Sequence, residues 1–172
     1  MSRAASGPLL ICYDGSDGAR AALEQSARLF SDRAAVVACY WQPFAQSRKQ
    51  PLAHEILELV QDPSLVNERE EQLAKTVADE GAGLAQAGGL AADGRAVEVD
   101  VPIDEAILAH ADELEAEAIV LGARARPGFR SLILGNVAND VVQNAARPVF
   151  VVPSPQMARR RRDQLTSVPP SL

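Results

Sequence analysis

The chain has 172 residues, a formal net charge of −6 and 4% aromatic residues. This length suits a single domain that buries its own core without disulfides or structural metals. Few aromatics among many small aliphatic residues indicate helices packed on a sheet rather than a β-sandwich.

The charge is unevenly distributed. Residues 156–172 carry four arginines and one aspartate, or +3, which leaves −9 on residues 1–155. Such an acidic body is a poor binder of nucleic acid, so we expect no nucleic-acid partner. We also expect a flexible N-terminus over residues 1–7, one domain over 8–155 and a disordered arginine-rich tail over 156–172.

Neither a membrane span nor a secretory signal is predicted. No apolar run reaches the roughly 18 residues of a span, and residues 1–8 lack an apolar stretch. We therefore expect a cytoplasmic protein. Cys12 and Cys39 lie in strand-like runs without metal-ligand spacing, which favours buried thiols over a redox pair and predicts no metal site.

Strands and helices alternate from the start of the chain. Pro8 to Tyr13 is a short apolar run ended by an Asp-Gly-Ser-Asp turn, which predicts a strand and then a helix cap. The following helix has one small-residue face, made of Ala19, Ala22, Leu23, Ser26, Ala27 and Phe30. Ala34 to Trp41 is continuously apolar, as in a strand covered on both sides.

The middle of the chain is less regular. Residues 42–61 give no clear pattern beyond a short helix that could start at Pro51. Asp62 and Pro63 then predict the start of a longer helix, with Val66, Leu73 and Val77 inward, ending near the glycines at 81–89. That glycine cluster follows a helix and lacks the spacing of a dinucleotide fingerprint.

The second half repeats the alternation. Residues 95–101, 117–121 and 148–152 are predicted strands, separated by a helix from Pro102 and another over Asn136 to Ala146. The helix from Pro102 has a buried face made of Ile103, Ile107, Leu108, Ala111 and Leu114. The order predicts an α/β fold: a five-stranded parallel sheet with helices on both faces, of the Rossmann-like type.

The segment from Leu121 to Asn136, LGARARPGFRSLILGN, links a strand to a helix start through a glycine-bearing loop. Backbone N–H groups converge on anions at such places. Three arginines, Arg124, Arg126 and Arg130, add positive charge there. With the Asp-Gly-Ser turn after the first strand and the late PVFVV strand, the chain resembles the universal stress protein family from about Leu9 to Pro153.

In ATP-binding members of that family the loop carries a glycine, two residues, a second glycine, nine residues, a third glycine and then serine or threonine. Here the same frame reads Gly122, Ala125, Gly135 and Asn136. The spacing is kept, whereas Ala125 replaces a glycine and Asn136 replaces a hydroxyl residue. A methyl group at Ala125 adds bulk near the phosphates, while the Asn136 amide can still donate to an oxyanion.

The resemblance implies an adenine-nucleotide α-hydrolase-like fold and ATP, with Mg²⁺, as the ligand. It implies binding roles for Cys12, Tyr13, Asp14, Tyr40, Gly122, Arg124, Ala125, Gly135, Asn136 and Val137. The residues alone leave other interpretations open. Asp14 could shape the turn or cap the first helix without binding a ligand, and Tyr40 could be a core aromatic. The last helix could be an ordinary helix that packs Val137, Val141 and Val142 inward.

The function expected is a regulatory, ATP-binding protein with slow or no hydrolysis, because neither a P-loop nor a nucleophile elbow is present and no catalytic residue is predicted. One alternative is a dimeric stress or adaptor protein that binds no nucleotide. Another alternative is a slow ATPase or nucleotidyl transferase.

The resemblance also implies a homodimer through Val149–Val152, an otherwise exposed sheet edge. His54 and His110 have no partner at a readable spacing and are interpreted as surface or satisfied histidines.

Overall fold

The computed structural model describes residues 7–43, 62–123 and 136–166. Its strands are β1 Leu9–Cys12, β2 Ala34–Trp41, β3 Ala91–Glu98, β4 Ala118–Ala123 and β5 Val149–Pro153. Its helices are α1 Asp17–Leu29, α2 Pro63–Ala87, α3 Ile103–Glu113, α4 Asn136–Asn144 and α5 Pro155–Thr166.

The strands form one parallel sheet in the order β3-β2-β1-β4-β5. The chain first winds outward from β1 to β3 and then crosses back to β4, so the direction of winding reverses between β1 and β4. This confirms the predicted α/β fold with its five-stranded parallel sheet. In such sheets the crevice at the carboxyl ends of the two strands beside the reversal is the usual place for a ligand.

The sheet is covered on both faces because successive side chains of its strands point to opposite faces. Leu9 and Ile11 pack against α1 and α2, whereas Leu10 and Cys12 pack against α3 and α4. We call these the α1/α2 face and the α3/α4 face. The inward residues of β1 are buried on both faces, which explains its continuous apolar run.

Side-chain caps start the first two helices where the sequence predicts them. The Ser16 hydroxyl accepts a hydrogen bond from the Ala19 N–H at 3.3 Å. At the start of α2 the Asp62 carboxylate accepts from the Ser64 N–H at 3.0 Å, and Pro63 occupies the first helical position. Both caps satisfy donors that a helix start otherwise leaves unpaired.

The inward face of α1 is as predicted, whereas that of α2 is as predicted at Val77, which packs against the core, but not at Leu73. Leu73 is 56% exposed, and the buried positions of α2 are mainly alanines. They are Ala74, Ala78, Ala82 and Ala85. The helix also continues through Gly81 to Ala87. Gly81 has a packing role there, because a Cβ would come within 2.6 Å of the Tyr13 ring. Small residues allow α2 to lie close to the sheet.

The last helix of the α3/α4 face also differs in its inward residues. Ala138 and Val141 are buried, whereas Val137 and Val142 are 36% and 45% exposed. The third strand starts earlier than predicted, at Ala91, because eight of its residues pair with β2.

The chain beyond β5 is helical where the sequence predicts a disordered tail. Helix α5 begins at Pro155, with the Ser154 hydroxyl accepting from the Met157 N–H at 3.3 Å. Met157 is 6% exposed and anchors the first turn, an apolar contact that the arginine-rich composition hides. Residues 167–172 lie outside the described residues, as do residues 1–6 and most of the irregular 42–61 segment.

In the part of the chain that the structure describes, none of the helices combines the length and apolar character needed to cross a bilayer.

Candidate functional site

A cavity of about 520 Å³ opens at the carboxyl ends of β1 and β4, within the size range of small-molecule sites. It lies at the reversal of strand winding. Its described lining comes from the ends of three strands and from three helices: Cys12, Tyr13, Asp14, Ser16, Ala19, Ala38, Tyr40, Ile103, Ile107, Leu121, Gly122, Asn136, Val137 and Ala138.

Two helix starts converge on this cavity. Ser16 and Ala19 belong to the start of α1, and Asn136 to Ala138 form the first turn of α4. A helix start presents unpaired N–H groups and the positive end of the helix dipole. The cavity therefore has one end suited to an anion.

Asp14 and Ser16 shape the turn between β1 and α1. The Asp14 carboxylate accepts from the Ser16 N–H at 3.0 Å, and Gly15 adopts a φ of +76° that favours glycine. Ser16, rather than Asp14, caps α1. Asp14 nevertheless remains exposed at the cavity, so it shapes the turn and faces the cavity at once.

The Tyr13 side chain points away from the cavity. Its ring packs on the α1/α2 face, and its hydroxyl donates to the Glu80 carboxylate at 2.9 Å. Arg20 of α1 pairs with the same carboxylate. Burial, followed by the Glu80 hydrogen bond, raises the pKa of Tyr13 to about 12. Tyr13 thus ties the turn to α2, and its phenol is committed to that contact.

Tyr40 and Cys12 line the opposite end of the cavity with Ile103 and Ile107. The Tyr40 hydroxyl lies 3.0 Å from Nδ1 of His110. Burial raises the pKa of Cys12 to about 12 and raises that of Tyr40 as well. Burial, followed by the positive charge of Arg95, lowers the pKa of His110. Near neutral pH these three groups are therefore all uncharged.

The sequence interpretation of His110 as a satisfied histidine is confirmed, but its partner was missed. His110 and Tyr40 are 70 residues apart, so no local spacing connects them. A usable signal was its position three residues after Ile107, on the inward side of the predicted helix. The apolar wall formed by Ile103, Ile107 and Leu121 was likewise predicted only as core.

The main-chain groups of Tyr40 point toward the cavity. The Ala38 carbonyl accepts from Tyr13 on the β1 side, and the Trp41 carbonyl accepts from Val99 on the β3 side. Main-chain groups of alternate residues in a strand point the same way, so those of Tyr40 point to the β1 side, as those of Ala38 do. The strand β1 ends at Cys12, opposite Ala38. One N–H donor and one C=O acceptor therefore border the space beyond that end.

Gly122 lies where β4 and α1 meet. A Cβ at this position would overlap the carbonyl group of Gly18, and a Cβ at Gly18 would lie 2.7 Å from the Ala123 oxygen. Neither glycine can carry a side chain without separating helix and strand. Gly122 thus has a packing role in addition to its place in the cavity wall.

Asn136 and Val137 are exposed at the start of the described part of α4 and line the cavity. Arg124, Ala125 and Gly135 fall in the segment 124–135, which lies outside the described residues, as do Arg126, Arg130 and His54.

A divalent cation would find little support from the protein alone. Among the described residues, no group of three or more histidine, cysteine or acidic side chains could hold a metal ion. Asp14 is the carboxylate in the described lining. Mg²⁺ commonly uses one or two carboxylates together with phosphate oxygens, so Asp14 fits an ion that arrives with a nucleotide.

Solved structures share this architecture. The universal stress protein from Archaeoglobus fulgidus in complex with dAMP is 21% identical with a TM-score of 0.54, covering 86% of this chain and 98% of that one. A universal stress protein in complex with cAMP is 17% identical with a TM-score of 0.58, covering 88% and 99%. At these identities the similarity shows the fold.

Sequence comparison identifies the family. A universal stress protein of Methanocaldococcus jannaschii is 39% identical over 56 residues, which span about a third of each protein, 33% of this chain and 32% of that one. The model of the universal stress protein family matches residues 6–153. The chain therefore belongs to the universal stress protein family.

Proposed function

We propose that this protein is a regulatory universal stress protein that binds ATP in the cavity between β1 and β4, with slow or no hydrolysis. The observation that carries the proposal is the convergence of two helix starts on a cavity at the reversal of strand winding. Two structural neighbours that hold dAMP and cAMP support an adenine nucleotide as the ligand class.

The base is proposed to bind at the Tyr40 end. A flat heterocycle suits the apolar wall formed by Ile103, Ile107 and the Tyr40 ring. The Tyr40 N–H and C=O supply one donor and one acceptor, which match the N1 acceptor and the N6 amino donor of adenine. Guanine presents a donor at N1 and an acceptor at O6, the reverse arrangement, so this edge favours adenine.

The phosphates are proposed to bind at the helix-start end. Main-chain N–H groups of Asn136 and Val137 are the donors, with the α4 dipole adding about 0.3–1 kcal/mol per charge. Asp14 is placed to hold Mg²⁺ bound to the phosphates. The predicted roles of Arg124, Ala125 and Gly135 fall outside the described residues.

A regulatory use follows from what the described cavity offers chemically. Its lining contains no lysine for the terminal phosphates and no histidine for proton transfer. Rapid phosphoryl transfer needs such groups in place. We therefore expect nucleotide occupancy, rather than turnover, to carry the function.

The test is isothermal titration calorimetry with Mg-ATP, AMP and Mg-GTP, together with melting temperatures. We expect ATP to bind more tightly than GTP and to raise the melting temperature by mass action. No heat and no thermal shift at millimolar ATP would exclude the proposal and favour the alternative of an adaptor that binds no nucleotide.

A matched pair of variants tests the phosphate end. Asn136→Pro removes both the side-chain amide and the main-chain N–H at the first helical position, where proline is well tolerated, as Pro63 is in α2. Asn136→Ala removes only the amide. Losing a charge-assisted hydrogen bond predicts about tenfold weaker ATP binding for the proline variant than for the alanine variant. Equal affinities would show that this N–H does not contact phosphate.

We also propose that two copies pair through β5. This strand is a sheet edge, and Phe150 is 38% exposed. The Pro148 carbonyl points to β4, where it accepts from Ile119, so by alternation the main-chain groups of Val149 and Val151 point outward. An edge of this kind is a template for another strand.

Light scattering checks the dimer, with an expected mass twice the 18.3 kDa of the chain. Val151→Pro removes an outward donor without removing a hydrogen bond to β4 and should yield monomers. The Val151→Ala control keeps the N–H and should remain dimeric. A monomeric unaltered protein would contradict this proposal.

A further inference from the structure

A partly buried polar pair lies beside the base end of the cavity. It joins the Tyr40 hydroxyl to Nδ1 of His110, which lie 3.0 Å apart. The Tyr40 and His110 rings meet edge to face, with centroids 5.9 Å apart and planes at 80°. His110 is 9% exposed, on the same side of α3 as Ile107 and Ala111. Tyr40 is thus held by its hydroxyl group as well as by its ring.

The direction of this hydrogen bond follows from the groups that meet. The Tyr40 phenol has one proton to donate, and a neutral imidazole nitrogen is a good acceptor. Tyr40 therefore donates to Nδ1 of His110, whose proton resides on Nε2. This hydrogen bond requires a neutral His110.

Protonation of His110 would break this arrangement. An imidazolium has two N–H donors and no acceptor, so Nδ1 could no longer accept from Tyr40. The new charge would also be buried and would be repelled by Arg95 of β3, a repulsion that Glu113 of α3 opposes. Burial and Arg95 both keep the pKa of His110 below its ordinary range.

One member of this pair lines the cavity. Tyr40 does, whereas His110 does not. Any influence of His110 on a ligand must therefore pass through the Tyr40 ring, the wall against which the base would lie.

We propose that His110 positions the Tyr40 ring at the base end of the cavity, so that adenine-nucleotide binding requires a neutral His110 and weakens when that imidazole takes up a proton. This inference rests on the proposed function and gives the site a built-in response to acidification. His110 is a positioning residue, since it acts through Tyr40 and does not itself line the cavity.

The sign of the pH effect is fixed by linkage. A ligand that binds only the neutral form loses affinity as pH falls through the pKa of His110, which lies below 6.5. We therefore expect full affinity at pH 7.5 and weaker binding at pH 5.0, by up to about thirtyfold, which is the loss for an imidazole of ordinary pKa.

Calorimetry with ATP at pH 7.5 and pH 5.0 tests this on the full chain. His110→Gln offers an amide oxygen that can accept from Tyr40 and does not titrate in this range. It should bind as the unaltered protein does at pH 7.5 and lose much less affinity at pH 5.0. Because both proteins see the same ATP, changes in phosphate ionisation cancel in the comparison. His110→Leu removes the acceptor and should bind weakly at both pH values.

The outcomes separate the two proposals. No ATP binding by the unaltered protein at pH 7.5 would overturn the proposed function and this inference together. Binding with the same pH ratio in the unaltered protein and in His110→Gln would overturn this inference alone.

A measurement without ligand guards against misfolded variants. The chain has two histidines, so the His110 ring protons can be assigned in NMR spectra by their absence from His110→Gln. Tyr40→Phe removes the donor that stabilises neutral His110, and the pKa of His110 should therefore rise. An unchanged titration in Tyr40→Phe would contradict the positioning role.

Discussion

The two faces of the sheet are packed in different ways. On the α1/α2 face, helices approach closely through alanines and through glycines such as Gly81 and Gly18. On the α3/α4 face the side chains are larger, and the cavity remains open beside them. They include the Tyr40–His110 pair. The close-packed face fixes the backbone of β1 and β4, and this allows the opposite face to hold open space without collapsing.

The close packing of the α1/α2 face is tested most strongly at the contact between α1 and β4. Gly122→Ala places a methyl group against the Gly18 backbone, which cannot rotate away as a side chain could. We expect a loss of stability at the upper end of the roughly 1–3 kcal/mol typical of overpacking, measured by urea unfolding.

Gly83 provides the matched control, because a Cβ there would meet nothing within 4 Å. Gly83→Ala in the middle of α2 should stabilise the protein by about 0.5–1 kcal/mol through helix propensity. If both substitutions had the same small effect, Gly122 would have no packing role.

A second test compares the two sides of α2. Ala78 is 1% exposed and lies against Gly94 of β3, whereas Leu73 is 56% exposed. Ala78→Leu should cost about 1–3 kcal/mol, and Leu73→Ala should change the stability by no more than about 0.5 kcal/mol. A large loss of stability from Leu73→Ala would instead support the inward orientation of Leu73 that the sequence predicts.

The smallest effect is expected from Ser26 on the α1/α2 face. Its hydroxyl is buried and finds no hydrogen-bond partner among the described residues. Ser26→Ala removes that unsatisfied group and improves helix propensity, so the free energy of unfolding should rise by about 0.5–1 kcal/mol. A destabilised variant would mean that the hydroxyl is satisfied, for instance by water.

Much of the fold could be predicted because its signals are local. The apolar run of β1, the small-residue face of α1 and the caps at Ser16 and Asp62 depend on neighbours a few residues away. Strand-helix alternation then restricts the topology to a parallel sheet. Leu73 is wrongly predicted to face inward, because hydrophobic periodicity gives most weight to large side chains. The close approach of α2 to the sheet instead requires alanine at its inward positions.

The features that escaped prediction depend on distant partners. Tyr40 meets His110 from another element, and Gly122 is required to be glycine by Gly18. The helix α5 buries Met157 in its first turn, which its own arginine-rich sequence does not indicate. A sequence pattern records what a residue is, but these roles are set by what lies opposite it.

The site lies between β1 and β4, where Leu9 near the start of the chain pairs with Ala118. This contact has a high sequence separation, and such contacts are slow to form because a long loop must close first. The cavity cannot exist until that closure has happened. A ligand bound there can delay the separation of the two halves of the chain, but it cannot help them find each other.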